Sequence, residues 1–215
     1  MEEYYYDSLL KAFLRGKTPE NTKAFDKMSC EELVKFARNM GYPTYSFKRS
    51  IQLPRIRSAI GTLKGLYPAT VLDIGSGRGT FLWPLLDEMP DIDITTIDVN
   101  PQHIETCSVV AAGGYSHLKA QVMDATDLQF PDNSFHTVTM LEVLEHIPDY
   151  RKAVSEIVRV ASEHIVLSVP SKPDNNPEHI NFFTKESIAK LLHTFPIKNI
   201  HIDYVHNHML VLVTL

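Results

Sequence analysis

Cysteine is scarce in this chain of 215 residues: there are two, Cys30 and Cys107, far apart and outside any metal-ligand pattern. A cysteine-based metal centre is thereby excluded, and two free thiols in a reducing compartment are expected. Long apolar runs are missing as well. None approaches the roughly 18 residues that a membrane-crossing helix needs, and the acidic, tyrosine-rich opening MEEYYY is unlike a signal peptide. There is no internal repeat and no low-complexity tract. What is left is the composition of a cytoplasmic globular protein, with 44% hydrophobic residues and enough chain for one substantial core and a small appendage.

Charge is unevenly spread. The formal net charge is -5, yet residues 1–64 carry 12 Lys and Arg against 7 Asp and Glu, while the remainder carries 9 against 19. A basic segment on an acidic body points either to an anionic partner such as RNA or to a charged helical surface docking on its own acidic body. The segment reads as helical. Leu9, Leu10, Phe13 and Leu14 form a stripe in a helix from about Glu3 to Arg15. Ser29 and Glu32 have the spacing of a capping box before Leu33, Val34, Phe36, Ala37 and Met40, with Gly41 as the stop. Pro54 opens a third helix to about Lys64. The aromatics Tyr4–Tyr6 and Tyr42–Phe47 fit either a lid over a ligand or plain core.

The most informative stretch is VLDIGSGRG at 71–79. Val71, Leu72 and Ile74 form a buried strand, and Gly75, Gly77 and Gly79 turn the chain sharply where a ligand can approach backbone. The spacing is G-x-G-x-G, one residue short of the dinucleotide fingerprint. A second apolar run, Ile92–Ile97, ends in Asp98, which places a carboxylate where a ribose diol could donate to it. Asp73, inside the first strand, would repel a pyrophosphate and tolerate an ammonium or sulfonium group. S-adenosylmethionine carries both. Asp124 and Ala125 end a third strand, where an acid can accept from an adenine amino group, and Glu142 ends a fourth.

With MDATDLQFPDNSF (123–135), LEVLEHIPD (141–149), VLSVP (166–170) and HINFFTKESIAKLL (179–192), the chain resembles the class I S-adenosylmethionine-dependent methyltransferases over residues 66–215. The resemblance implies S-adenosyl-L-methionine as cofactor. It places Asp73 with Gly75, Ser76, Gly77 and Gly79 near the methionyl moiety, Asp98 with Val99 on the ribose, Asp124 with Ala125 on the adenine, and Leu141 with Glu142 beside the sulfonium. Two departures stand out: His136 occupies a position that is commonly aspartate, and no Lys-Pro-Gly-Gly turn precedes the fifth strand.

The fold expected is α/β. A Rossmann-like, seven-stranded, mostly parallel sheet with helices on both faces ends in an antiparallel strand pair, Ile197–Tyr204 with His208–Thr214. An N-terminal helical cap over residues 1–65 precedes a methyltransferase domain at 66–215. Methyl transfer needs alignment more than a catalytic group; if the acceptor is a hydroxyl, Glu142, His146 and His179 are the candidate catalytic residues, with Glu145 beside them. No metal is expected. The alternative is that Glu142, Glu145, His146 and His179 hold one, a spacing similar to that of small-RNA 2'-O-methyltransferases; the same motif also occurs in metal-free methyltransferases of quinone and sugar pathways. The acceptor expected is a small molecule, with RNA as the alternative and a non-catalytic adenosyl-binding protein as a third reading. No membrane partner is expected, and the oligomeric state is left open.

Overall fold

The helices of the basic segment form where capping and apolar spacing coincide, in a computed structural model that describes residues 4–49, 53–173 and 175–215. Helix α1 spans Asp7–Lys17, starting later than expected because Tyr4–Tyr6 precede it outside any helix, while Glu3 lies outside the described residues; α2 is the short Thr22–Phe25 and α3 is Cys30–Asn39. The Ser29 capping box is present: Glu32 N donates to Ser29 Oγ at 3.3 Å, and Ser29 N donates to Glu32 Oε2 at 2.8 Å. Helix α4, Pro54–Leu66, starts at the proline, whose missing N–H costs nothing in a first turn.

From there strands and helices alternate: β1 (Thr70–Ile74), α5 (Leu82–Glu88), β2 (Asp93–Asp98), α6 (Pro101–Ala112), β3 (Leu118–Val122), β4 (Phe135–Leu141), α7 (Tyr150–Val160), β5 (Ala161–Pro170), α8 (Lys185–Leu192), β6 (Asn199–Val205) and β7 (His208–Thr214). The seven strands form one sheet in the order β3-β2-β1-β4-β5-β7-β6, parallel as far as β5 and antiparallel beyond it. The last two strands sort by composition. The continuous apolar run Met209–Val213 puts β7 inside the sheet, whereas the alternating NIHIDYV leaves β6 as the edge strand. His136 sits at the start of β4, where its backbone N and its Nδ1 both lie 3.0 Å from Thr70 Oγ1, at the opposite end of the strands from the glycine turn.

Each face of the sheet carries its own core. Helices α7 and α8 bury Val154, Ile157, Ile188 and Leu192 against Leu72, Ile74 and Val138. On the other face α5 and α6 share a single cluster with the cap helices, in which Leu9, Leu10, Phe13 and Leu14 of α1 are nearly inaccessible. Each such side chain contributes about 1.5–3 kcal/mol, so the cap is integral to the folding unit. Helix α1 crosses α6 closely because two glycines meet there. A Cβ on Gly113 would lie 1.7 Å from Ala12 O, and one on Gly16 would lie 2.2 Å from Val109 O.

Of the cap aromatics Tyr4–Tyr6 and Tyr42–Phe47, Tyr6 and Phe47 are core, Tyr5 and Tyr42 are half-buried against it, and Tyr4 and Tyr45 are exposed. Phe13 packs edge-on to Tyr42 with ring centroids 5.9 Å apart, and Phe47 stacks on Trp83 of α5 at 5.4 Å. Basic residues of residues 1–64 reach acids of the body: Lys17 to Glu105 at 2.6 Å, Lys64 to Glu88 at 2.6 Å, Arg49 to Asp87 and Arg55 to Glu142. No helix among the described residues is long and apolar enough to cross a membrane.

Candidate cofactor cleft

At the C-terminal edge of the parallel strands β1, β2, β3 and β4 lies a cleft of about 1100 Å³. Its floor is the glycine turn. Gly75 N and Ser76 N both donate to Ile97 O, at 2.8 and 3.2 Å, folding the turn back over the end of β2. Gly77 adopts φ +50, and the space its Cβ would take is open: the nearest atom is Gly75 O at 4.0 Å. A ligand can therefore lie directly against backbone there. Gly79 serves packing instead, since a Cβ would sit 1.9 Å from Trp83 Nε1, which donates to Arg78 O.

Asp98 ends β2 and ties the turn to the next helix. Its Oδ2 accepts from Gly77 N at 2.8 Å and lies 3.2 Å from His103 Nδ1; its Oδ1 accepts from Asn100 N at 2.8 Å. Each carboxylate oxygen has further acceptor capacity, so a ribose diol can be added without breaking this frame. Asp124, after β3, accepts from Thr126 N and Thr126 Oγ1 on Oδ1 at 2.7 and 2.8 Å and lines the cleft. The donors and acceptors therefore fit an adenosyl group.

Asp73 is placed differently. In the sheet it lies level with Thr96 of β2 and Thr139 of β4, and those two hydroxyls donate to its carboxylate at 3.0 and 2.9 Å. It is 3% exposed and does not line the cleft. Burial raises its pKa to about 6, against the lowering effect of the two threonine hydrogen bonds.

The far wall comes from the segment after β4. Glu142 has φ +58, a left-handed conformation that a side chain rarely adopts, and it is held there by Glu142 N donating to Ser168 O at 2.9 Å. Its carboxylate accepts from Ser168 Oγ at 2.7 Å and pairs with His208 Nε2 at 2.9 Å, with Arg55 Nε 3.6 Å away. A 3-10 turn, Leu144–His146, follows. It buries Glu145 completely and leaves His146 half-buried on the cleft, with the His179 ring at 4.8 Å from the His146 ring.

Of the residues expected at the site, Gly75, Gly77, Asp98, Val99, Asp124, Ala125, Glu142 and His146 line one cleft. Asp73, Ser76, Leu141 and His179 do not, and Gly79 faces a smaller cavity beside Trp83. The alternative four-residue ligand group separates: Glu145, His146 and His179 come together, while Glu142 turns to Ser168 and His208. Asn100 and His103 also line the cleft and were not anticipated. Asn100 was legible, because Asn-Pro after an apolar strand is a helix start; its side chain accepts from Gln102 N at 3.0 Å.

Residues 71–164 match the model of a methyltransferase domain family. Over 106 residues, 48% of the chain, the sequence is 30% identical to an ajmaline N-methyltransferase of Rauvolfia serpentina, covering 36% of that protein. Over 135 residues, 61% of the chain, it is 31% identical to a 2-methyl-6-phytyl-1,4-hydroquinone methyltransferase of Synechocystis, covering 42% of it. The chain thus spans about two fifths of these curated relatives. Among solved structures, a SAM-dependent methyltransferase from Aquifex aeolicus shares the fold with a TM-score of 0.59 at 17% identity, over 72% of this chain and 88% of that one.

Proposed function

We propose that the chain is a class I S-adenosylmethionine-dependent methyltransferase, in keeping with the methyltransferase-domain match over residues 71–164, and that it moves a methyl group to a small-molecule acceptor by in-line displacement. When bound, the cofactor supplies a methyl group on a positively charged sulfur. The observation that carries the reading is the Asp98 frame: a carboxylate fixed by Gly77 N and Asn100 N at the mouth of a cleft that also holds Asp124. Asp98 would hold the ribose, Asp124 the adenine, and the bare backbone at Gly77 would let the ligand lie close.

The work of the chain is alignment, which can supply several kcal/mol of a displacement barrier. Glu142, Val143 and His146 form the wall opposite the Asp98 side, where an acceptor would stand. Glu142 is held by Ser168 and His208, a fixed anion suited to orienting the acceptor or taking up its proton; His146 is the second candidate for that proton. A small acceptor is favoured over RNA because Lys17, Arg49, Arg55 and Lys64 of the basic segment are engaged by acids of the body, leaving fewer cations for phosphates. Labelled S-adenosylmethionine incubated with the protein and a metabolite pool should yield a labelled small molecule. Label in RNA alone would reverse the choice of acceptor, and failure of the cofactor to bind in a calorimeter would end the proposal.

A further inference from the structure

We propose that the edge strand β6 is a docking surface for a second copy of this chain, paired antiparallel about a twofold axis at Ile202. Among the described residues no strand follows β6 in the sheet. Its outward backbone groups can be assigned. Leu215 N donates to Glu163 O and Ser171 N to Asn207 O, so alternate residues of β7 bond to β5; Thr214 O accepts from Lys198 N on the other side. By alternation Thr214, Leu212, Leu210 and His208 face β6, opposite Asn199, His201, Asp203 and Val205. The N–H and C=O groups of Ile200, Ile202 and Tyr204 therefore point out of the sheet.

A second β6 can take up those groups in one register, and its side chains then match. Centring the pair on Ile202 sets His201 opposite Asp203 of the second copy, and Asp203 opposite its histidine. Opposite-charge pairs of this kind favour antiparallel pairing. Both residues are exposed, and within one chain His201 Nε2 lies 3.0 Å from Asp203 Oδ2, so they share a face and can bond across the axis without rearrangement. On the other face Tyr204, 59% exposed, stands opposite Ile200 of the second copy, an aromatic against a β-branched side chain. Edge strands are commonly guarded by lysine or proline. The opposite edge, β3, carries Lys119, whereas NIHIDYV has neither, and its only charges complement their own copies. Because β6 runs parallel to β5, the axis reverses the strands of the second copy, and the two cofactor clefts open at opposite ends of the joined sheet.

One strand pair buries a small area, so the dimer should depend on concentration. In sedimentation velocity of the full chain, the mass should rise from 24.4 kDa toward twice that value as protein is added. Asp203→Lys places a cation opposite the histidine and should weaken association roughly tenfold or more. Combining it with His201→Asp puts an acid opposite that cation and should restore the dimer. The register has its own readout. At an antiparallel hydrogen-bonded pair the Cα atoms are about 5.5 Å apart, within disulfide reach, so Ile202→Cys should cross-link to its own copy under mild oxidation. Asn199→Cys, about 20 Å from its counterpart in this register, should remain uncross-linked, like the wild type. A mass of 24.4 kDa at every concentration overturns the interface. So does a dimer that Asp203→Lys leaves intact, or equal cross-linking in the two cysteine variants.

Discussion

His208 Nε2 lies 2.9 Å from Glu142 Oε2, joining the first residue of β7 to the residue that follows β4. The pair spans β5, whose Ser168 donates to the other oxygen of the same carboxylate. With Arg55 of α4 also near, four elements meet at one anion beside the cleft. Glu142→Gln should therefore destabilise the protein by about 1.5–3 kcal/mol, the scale of hydrogen bonds to a charged group. It should also lower kcat with little change in cofactor affinity. Urea unfolding and calorimetry separate the two effects, and a variant as stable and active as the wild type would show the carboxylate to be idle.

Asp98→Ala removes the proposed ribose acceptor and the tie between Gly77 N and Asn100 N together. Binding of S-adenosylhomocysteine should weaken by about 1–3 kcal/mol, measured calorimetrically. Normal affinity would place the adenosyl group elsewhere.

A Cβ at Gly77 comes no closer than 4.0 Å to any residue beyond its chain neighbours, yet the side chain of Gly77→Val fills the space over the turn and must adopt φ +50. The fold should survive, at a cost of about 1–2 kcal/mol for the left-handed backbone, while cofactor affinity falls further than in Asp98→Ala. Circular dichroism alongside calorimetry tests this contrast.

Gly113→Ala acts far from the cleft. The added methyl meets Ala12 O at 1.7 Å, so α1 must move off α6, and overpacking of this kind costs about 1–3 kcal/mol. Urea unfolding should remain a single transition at lower midpoint, because the cap and the sheet face share a core. A separate early transition would show that the cap unfolds alone.

Asp73 predicts a pH dependence. Its pKa is raised from 3.8 to about 6 in the fold, so between those values the folded state binds more protons than the unfolded one. Its contribution is most favourable below about pH 4, weakens as pH rises, and is least favourable above pH 6. Asp73→Asn removes that loss, so at pH 7.5 the variant should be more stable by about 3 kcal/mol, with the difference shrinking toward pH 4. Urea midpoints at pH 4, 5, 6 and 7.5 check the sign.

Much of this was legible in the linear chain, and for a local reason. Alternation of apolar runs and amphipathic stretches placed every strand of the sheet, because period and turn chemistry act over a few residues. The capping box at Ser29 and the proline at 54 likewise fixed helix starts from neighbouring side chains. At the cleft, Gly77, Asp98 and Asp124 sit at strand ends, and parallel strands deliver their ends to one edge.

What the chain by itself determined is therefore the sheet, its order of elements and the acids Asp98 and Asp124 at its strand ends, all set by short-range pattern. Only the tertiary structure decided the rest, because those groups meet across long separations. Asp73 was set at the centre of a Thr96–Asp73–Thr139 row by the register of three strands. Glu142 was drawn from Glu145 and His146 by His208 and Ser168, and His179 was brought to them by a stapled loop. The cap became part of the core because Gly16 and Gly113 allow two helices to touch, a contact that no local pattern encodes.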